Sequence, residues 1–211
     1  MVIEKALDNI LNMPSKGKII RLFVSKRRDF VATGREVARL TEMSPPAAHT
    51  ALKELYDQQV LNRDIIGKQH LYRLNSENRN VKNILIPAFR KELSVKNDIG
   101  EYLIEKIKIN KLENRILSLM IYGSLQKGTA VETSDVDIAV IIKNNADPDK
   151  IENIFIEKIS SEFHLYFGAH LDPYIKRKNE FIALLNKNLP PVSTLMKSYT
   201  VISGRDPMDI R

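Results

Sequence analysis

One stretch constrains the fold of this chain more than any other: two apolar runs separated by a short polar segment. Residues 116–122 form the first run, which ends at Gly123-Ser124, and residues 136–142, rich in Val and Ile, form the second. Apolar runs of this length, bounded by turn residues, indicate buried strands. The segment between them is long enough for a short helical turn over residues 125–130. The sequence therefore predicts a strand, a turn and a second strand.

Two carboxylates open the second of these strands, Asp135 and Asp137 at positions i and i+2. Because strand side chains alternate between faces, both carboxylates point the same way, roughly 7 Å apart along the strand. They repel each other unless a cation lies between them, and Mg²⁺ takes such oxygen ligands together with substrate phosphates. Gly123 lets backbone approach a phosphate closely, and Ser124 can donate its N–H and hydroxyl where a helix begins. These residues favour a site for a metal-bound nucleotide.

The order of strand, Gly-Ser, ten residues, Asp-x-Asp and strand resembles the signature of the DNA polymerase β-like nucleotidyltransferase superfamily. Fewer than eighty residues follow Asp137, so we expect the minimal branch of that superfamily. The resemblance implies that Gly123 and Ser124 hold a nucleoside triphosphate. It also implies that Asp135 and Asp137 bind Mg²⁺ or Mn²⁺.

The same resemblance implies three further site residues. Lys127 lies where such loops commonly carry Lys or Arg, and we expect Lys127 and Ser134 to position phosphates. Such folds usually draw a third carboxylate from the strand beside the Asp-x-Asp strand. Asp172 is the candidate, as a second-metal ligand or a base near the acceptor hydroxyl, on a strand expected over residues 165–175. The alternative is that Asp172 only starts a turn with Pro173, which is a common pairing.

Charge is distributed unevenly along the chain. Residues 1–93 hold 17 Lys and Arg against 10 Asp and Glu, whereas residues 94–211 hold 16 of each sign. The net charge of +7 therefore lies in the first part, away from the acidic motif. A basic segment joined to a neutral one suggests a polyanion partner for the first segment alone. Added solubility is the alternative explanation.

The first part of the chain shows three helical patterns followed by a basic hairpin. Helices are expected over residues 16–28, after an N-cap at Thr33, and from Ser44-Pro45 onward, and two strands flank Gly67-Lys68. Residues 16–75 thereby resemble a winged helix-turn-helix domain, in which the third helix enters the major groove and the hairpin meets phosphates. The expected DNA contacts are His49, Thr50, Lys53, Arg63, Lys68 and Arg73. A winged helix used for dimerisation or protein docking is the alternative.

The connecting and closing segments complete the expected organisation. A helix over residues 80–93 joins the two parts, and Pro87 is expected to kink or end it. A second helix, over residues 98–113, opens the second part, and a third, over residues 150–163, follows the Asp-x-Asp strand. Another helix over residues 179–187 and an edge strand close the chain.

The expected fold class is therefore two domains. Residues 1–93 form an α+β winged helix-turn-helix domain with a linker helix. Residues 94–211 form a minimal α/β nucleotidyltransferase domain, a small mixed sheet flanked by helices.

Composition narrows the cellular setting. The chain has no cysteine, which excludes disulfides and thiolate metal sites. No stretch approaches the ~20 apolar residues needed to span a membrane, and the first five residues lack the layout of a secretory signal. We therefore expect a cytoplasmic protein without a membrane partner. His164 and His170, on a strand of mixed polarity, are expected to be surface or satisfied histidines rather than zinc ligands.

The predicted activity is Mg²⁺-dependent transfer of a nucleoside monophosphate, AMP from ATP in the expected case, to a hydroxyl acceptor with release of pyrophosphate. Nucleotide and double-stranded DNA are the expected partners, a protein such as a toxin is a candidate acceptor, and a homodimer is left open. The alternative is a winged-helix transcription regulator whose nucleotidyltransferase-like domain binds nucleotide without turnover. Intact Asp135 and Asp137 favour the enzyme, because a sensor does not need both.

Overall fold

The computed structural model describes residues 5–128 and 134–210. The chain divides into two compact units, Met1–Val95 and Lys96–Arg211. Each unit encloses apolar clusters of its own. The last part of the turn expected over residues 125–130 lies outside the described residues. No helix within the described ranges is long and apolar enough to cross a membrane.

The first unit combines helices with one small sheet. In chain order its elements are α1 (Ala6–Ile10), α2 (Pro14–Ser25), β1 (Ala32–Thr33), α3 (Gly34–Leu40), α4 (Pro45–Asp57), β2 (Leu61–Ile66), β3 (Gln69–Leu74) and α5 (Ile86–Leu93). The strands pair antiparallel in the order β1-β3-β2. Helices α2, α3 and α4 precede the β2–β3 hairpin, which is the winged-helix order that the sequence predicts.

Capping residues determine where α3 and α4 begin. The carboxylate of Glu36 accepts a hydrogen bond from the backbone N–H of Thr33 at 2.8 Å, and the Thr33 hydroxyl accepts one from the N–H of Glu36. This reciprocal pair is a capping box. The hydroxyl of Ser44 accepts from the N–H of Ala47, and Pro45 occupies the first position of α4. Both predicted helix starts are confirmed.

The core of the first unit encloses one charged side chain, that of Lys16 on α2, which is fully buried. Its Nζ donates to the carbonyl oxygen of Asn9 on α1 at 2.7 Å and lies 2.6 Å from a carboxylate oxygen of Glu54 on α4. A buried ammonium group without such partners costs several kcal/mol. The two contacts therefore tie α1, α2 and α4 together.

The helix expected over residues 80–93 continues through Pro87. Val81–Leu85 forms one wider π-helical turn, and α5 follows it directly, with Pro87 in its first turn. A π-helical turn changes the hydrogen-bond spacing of the backbone. The missing N–H of proline is tolerated in the first turn of a helix. Pro87 therefore does not end this helix.

The second unit is a sheet flanked by helices. Its elements are α6 (Val95–Ile109), β4 (Ile116–Ile121), α7 (Gly123–Lys127), β5 (Val136–Ile142), α8 (Pro148–Ile154), α9 (Ser161–Phe167), β6 (Leu171–Arg177), α10 (Lys178–Asn186), α11 (Val192–Leu195) and β7 (Thr200–Gly204). The sheet order is β6-β5-β4-β7, in which β5 and β6 are parallel and the other pairs antiparallel. The expected mixed sheet is confirmed.

Strand β5 is buried on both faces, and each face belongs to a different cluster. One cluster contains Val136, Ile138, Val140 and Ile142 of β5 with apolar residues of α6, α8 and α9. The other contains Ala139 and Ile141 with apolar residues of α10 and α11. Because side chains alternate along a strand, Asp137 points to the same face as Ala139 and Ile141.

The strand expected over residues 165–175 is wrong in its first part. Residues 165–167 end α9, and the strand runs from Leu171 to Arg177. Gly168, with φ of +69°, ends the helix in the left-handed conformation that favours glycine. His164 therefore lies on a helix rather than on a strand.

Aromatic packing keeps this segment helical. The rings of Phe163 and Phe167, one helical turn apart, lie 4.6 Å from each other. Both rings also contact Tyr102 of α6, at 5.7 and 5.4 Å between centroids. Side chains four residues apart meet only on a helix, so these contacts require helical backbone.

Candidate functional site

Strand register places Asp137 and Asp172 side by side. The two residues are direct partners in the parallel pairing of β5 with β6. The N–H of Val136 donates to the carbonyl oxygen of His170 at 2.8 Å and extends this pairing toward the site. Neighbouring strands lie about 4.8 Å apart, and paired residues point to the same face. Asp135 is exposed just before β5, two positions from Asp137.

The start of α7 packs directly onto the Asp137 carboxylate. Gly123 has φ of +74°, and a Cβ atom there would lie 1.8 Å from Oδ2 of Asp137. The backbone N–H of Ser124 donates a hydrogen bond to the same carboxylate. Only glycine combines this backbone conformation with this close approach. Gly123 and Ser124 therefore orient the Asp137 carboxylate.

Acidic charge accumulates at this end of the sheet. Burial raises the pKa of the Asp137 carboxyl, the negative charge of Asp172 raises it further, and Asp135 adds a smaller effect in the same direction. The hydrogen bond from Ser124 acts in the opposite direction. Burial, followed by the charges of Asp137 and Asp172, raises the pKa of Tyr122 to about 12. The Tyr122 phenol is therefore protonated at neutral pH and can donate a hydrogen bond.

The three carboxylates suit a hard divalent cation. All are oxygen donors, which Mg²⁺ and Mn²⁺ prefer. The charges of Asp172 and Asp135 raise the pKa of Asp137 because the carboxylates repel one another. A bound cation would reduce this repulsion. Within residues 5–128 and 134–210, no group of three His, Cys, Asp or Glu is already close enough to hold an ion. The strand register brings Asp137 and Asp172 together, and Asp135 would have to approach them to complete a set of three oxygen donors.

The remaining predicted nucleotide residues flank the part of the loop that lies outside the described residues. Lys127 is exposed at the end of α7, and Ser134 precedes Asp135. The sequence analysis missed Lys96 of α6, whose Nζ donates to the carbonyl oxygen of Gln126 at 3.2 Å and holds α7 in place. It also missed Tyr122, although the position directly before Gly123 is a signal that could have identified it.

Residues 101–207 match the family described as polymerase beta, nucleotidyltransferase. The chain belongs to this nucleotidyltransferase family. A protein of Methanocaldococcus jannaschii, named "Putative protein adenylyltransferase MJ1305", is 30% identical over 110 residues, which are 52% of this chain and 73% of that protein. Residues 101–207 of this nucleotidyltransferase, which match the family, include β4, β5 and β6 and thus every residue of the acidic site.

In the winged-helix unit of this nucleotidyltransferase, α4 presents an exposed polar face. His49, Thr50 and Lys53 are exposed, and Thr50 donates its hydroxyl hydrogen bond to the carbonyl oxygen of Pro46 in its own helix. A cavity of about 660 Å³ lies between α4 and the hairpin, with His49 on one side and Lys68 on the other. The structure therefore brings these two predicted contacts together. His70 of the basic hairpin also lines this cavity, as does Arg35, which the sequence analysis missed.

The two predicted arginine contacts lie on opposite faces of the hairpin. Arg63 pairs with Tyr72 across the strands, and its guanidinium lies 4.2 Å from the centre of the Tyr56 ring on α4. Arg73 lies on the other face, 3.6 Å from a carboxylate oxygen of Asp64. Since strand side chains alternate, one flat partner cannot contact both arginines.

Several solved structures are similar to parts of the chain at low identity. HlyU from Vibrio cholerae N16961 aligns with 16% identity and a TM-score of 0.35, over 43% of this chain and 96% of that chain. The AntR antimony-specific transcriptional repressor aligns with 17% identity and a TM-score of 0.35, over 45% and 78%. Lactococcus lactis ZitR aligns with 21% identity and a TM-score of 0.34, over 47% and 68%. The winged-helix assignment rests on the element order of the first unit itself.

Proposed function

We propose that the second unit transfers AMP from ATP to a hydroxyl of a partner protein, with Mg²⁺ or Mn²⁺, and releases pyrophosphate. The observation that carries this proposal is the in-register pairing of Asp137 with Asp172 beside Gly123 and Ser124. Family membership supports nucleotidyl transfer. The name of the Methanocaldococcus jannaschii relative supports AMP as the transferred group and a protein as the acceptor.

Asp135 and Asp137 would hold the divalent cation that binds ATP, and Asp172 would be a ligand of a second cation or the base. When bound, the cation supplies positive charge against the triphosphate and the pyrophosphate that leaves. The chain itself fixes the ligand geometry, because Gly123 and Ser124 orient the Asp137 carboxylate. Lys127 and Ser134 lie on either side of residues 129–133 in the sequence, and we expect both to contact phosphate oxygens.

Asp172 is the candidate base for the acceptor. Its side chain is exposed, so a hydroxyl brought by another molecule can reach it. Asp172 would take the hydroxyl proton as the oxygen bonds to the α-phosphorus, and the bond from that phosphorus to the bridging oxygen would break in line. The protonated Tyr122 phenol beside Asp137 and Asp172 would donate a hydrogen bond to a phosphate or carboxylate oxygen.

The test is transfer of label from ATP to protein in a host lysate, with calorimetry of Mg²⁺-ATP binding alongside. We expect a labelled band with the wild-type chain, and loss of both band and metal-dependent binding with Asp135→Asn/Asp137→Asn. Asp149→Asn, which removes an exposed carboxylate of α8, is the matched control. Unchanged Mg²⁺-ATP affinity in the double variant would contradict the site. Metal-dependent binding without a labelled product would favour a regulator that senses nucleotide.

For the first unit we propose binding of duplex DNA through α4 and the hairpin tip. The net charge of +7 in this part of the chain and the exposed His49, Lys53 and Lys68 support the proposal. We also propose that the protein acts in the cytoplasm, where ATP is available. Fluorescence anisotropy of the full chain with a labelled duplex should show binding that weakens steeply as salt rises, because phosphate contacts release counterions. Absence of binding at ~50 mM salt, where basic domains bind best, would contradict the proposal.

A further inference from the structure

We infer that the first unit carries a second binding site, a cavity that takes a small phosphorylated organic anion of the nucleotide class. Its volume is about 280 Å³, near the lower end of the roughly 300–1,000 Å³ of ligand pockets. It lies where the end of α2, the base of β3 and the helix through α5 come together. The site is separate from the acidic site and from the proposed DNA surface.

Five cations line this cavity: Lys26, Arg27, Arg28, Lys82 and Arg90. They come from the segment after α2, from the π-helical turn and from α5, so the fold brings them together. No carboxylate lines the cavity in the part of the chain that the structure describes. Like charges gathered in this way repel one another, which disfavours the compact state unless an anion joins them.

Two other arginines of the same unit, Arg21 and Arg73, have carboxylate partners. Arg21 makes two hydrogen bonds to the carboxylate of Glu92, at 2.7 and 2.9 Å, and Arg73 lies 3.6 Å from Asp64. Among the described residues, by contrast, none of the five cavity cations forms an ion pair. Their donors are therefore available to a ligand with several negative charges.

The floor of the cavity is apolar, which argues for a ligand with a body as well as charge. Phe30, Leu74 and Ile86 are half-buried there, and Phe23 lies beneath Phe30 with 5.5 Å between ring centroids. An inorganic anion alone would leave these apolar side chains exposed to water. A phosphorylated molecule with a flat apolar part covers it while its phosphate meets the cations.

The cavity is not an extension of the DNA surface. Gly67 and Lys68 form the tip of the hairpin, whereas Leu74 is at the opposite end of β3. Leu74 lies five positions after Gln69 along the strand, which is roughly 17 Å. Among residues 5–128 and 134–210, none lines both this cavity and the cavity between α4 and the hairpin. A duplex docked on α4 and the tip would therefore leave these cations uncovered.

The experiment uses the full chain with Asp135→Asn/Asp137→Asn, in EDTA, so that the acidic site cannot contribute metal-dependent binding. AMP, adenosine and pyrophosphate are titrated separately by calorimetry. We expect AMP to bind more tightly than either of the other two, because only AMP has both charge and a flat ring. Adding Lys82→Glu/Arg90→Glu should weaken AMP binding on the order of a hundredfold, since each charged hydrogen bond contributes roughly tenfold.

Lys5→Glu/Lys18→Glu is the matched control, because it reverses two exposed charges of the same unit outside the cavity. It should leave AMP affinity within about twofold, and unfolding temperatures should show that both charge-reversal variants are folded. Absence of AMP binding, equal losses in both variants, or pyrophosphate binding as tight as AMP would overturn the proposal. So would a loss of duplex affinity in Lys82→Glu/Arg90→Glu beyond that of the control, because the cations would then serve nucleic acid.

Discussion

The two units of this nucleotidyltransferase hold their charged groups in different ways. In the second unit, backbone fixes the acidic site, because Asp137 and Asp172 are register partners and Gly123 packs against Asp137. In the first unit, the basic groups proposed to contact DNA are exposed side chains such as Lys53 on a helix and Lys68 at the hairpin turn. One added side-chain atom beside a site that the backbone positions should greatly reduce its activity. Removing one cation from an exposed basic surface should lower its affinity only severalfold. The variants below test this difference.

Gly123→Ala should give the largest effect. The added Cβ atom would lie only 1.8 Å from Oδ2 of Asp137. The Asp137 carboxylate would therefore be displaced. Losing a positioned ligand costs several kcal/mol of charge stabilisation, so transfer should fall roughly 10³-fold. Transfer of label from ATP measures the loss.

The control for this variant is Gly168→Ala. Gly168 has φ of +69°, close to that of Gly123, but nothing lies within 4 Å of a Cβ there. Its backbone strain is therefore similar while its steric effect on the site is absent. Equal losses of transfer in the two variants would show that strain, not contact with Asp137, accounts for the effect.

Asp172→Asn should reduce transfer roughly 10²-fold, the usual contribution of a positioned base. Mg²⁺-ATP affinity should change much less, because Asp137 and its partners at Gly123 and Ser124 remain. Single-turnover transfer and calorimetry separate the two effects. Transfer at the wild-type rate would leave Asp172 with a structural role at the turn with Pro173.

Glu54→Gln should affect the first unit alone. It leaves the buried ammonium of Lys16 without its counter-charge and should cost about 2 kcal/mol of local stability. Hydrogen exchange of α2 and α4 measures this cost, and transfer by the second unit should be unchanged. Glu162→Gln breaks the more exposed pair with Lys106, so a cost below about 1 kcal/mol is expected there. Equal losses of stability in both variants would show that burial of Lys16 does not strengthen the contribution of its ion pair.

The two hairpin variants Lys68→Ala and Arg73→Ala should give the smallest effects. Loss of one phosphate contact lowers duplex affinity only severalfold and reduces the salt slope by about 1. Arg73→Ala should have less effect than Lys68→Ala, because Arg73 lies beside Asp64 on the hairpin face opposite Arg63. Anisotropy across a salt series tests both variants. A larger loss for Arg73→Ala would move the proposed surface to the other face of the hairpin.

Local signals in the sequence were enough to predict much of the fold. Strand β5 has the bounds expected from its Val and Ile run, and the helix starts at Thr33 and Ser44-Pro45 follow from capping chemistry. The pairing of the Asp172 strand beside β5 is also as expected. Each of these features depends on residues that are near one another in sequence or on a recognisable motif.

Features that depend on distant residues could not be predicted. The aromatic run before Gly168 suits a strand by propensity, but Tyr102 of another helix packs on it and keeps it helical. Burial of Lys16 depends on Asn9 and Glu54, which surround it only in the folded unit. The opposite orientation of Arg63 and Arg73 depends on a register that the sequence does not display.

The parallel pairing of β5 with β6 also limits how this protein can change in length. The helical connection from α8 to α9 takes no part in the strand hydrogen bonds, so its length does not set which residues of the strands meet. The short segment from Gly168 to Asp172 cannot change its length in this way, because the carbonyl oxygen of His170 accepts a hydrogen bond from the N–H of Val136. One residue inserted between His170 and Asp172 would turn Asp172 to the opposite face of the sheet. We therefore expect insertions and deletions among relatives to collect in the helical connection and to be absent from this short segment.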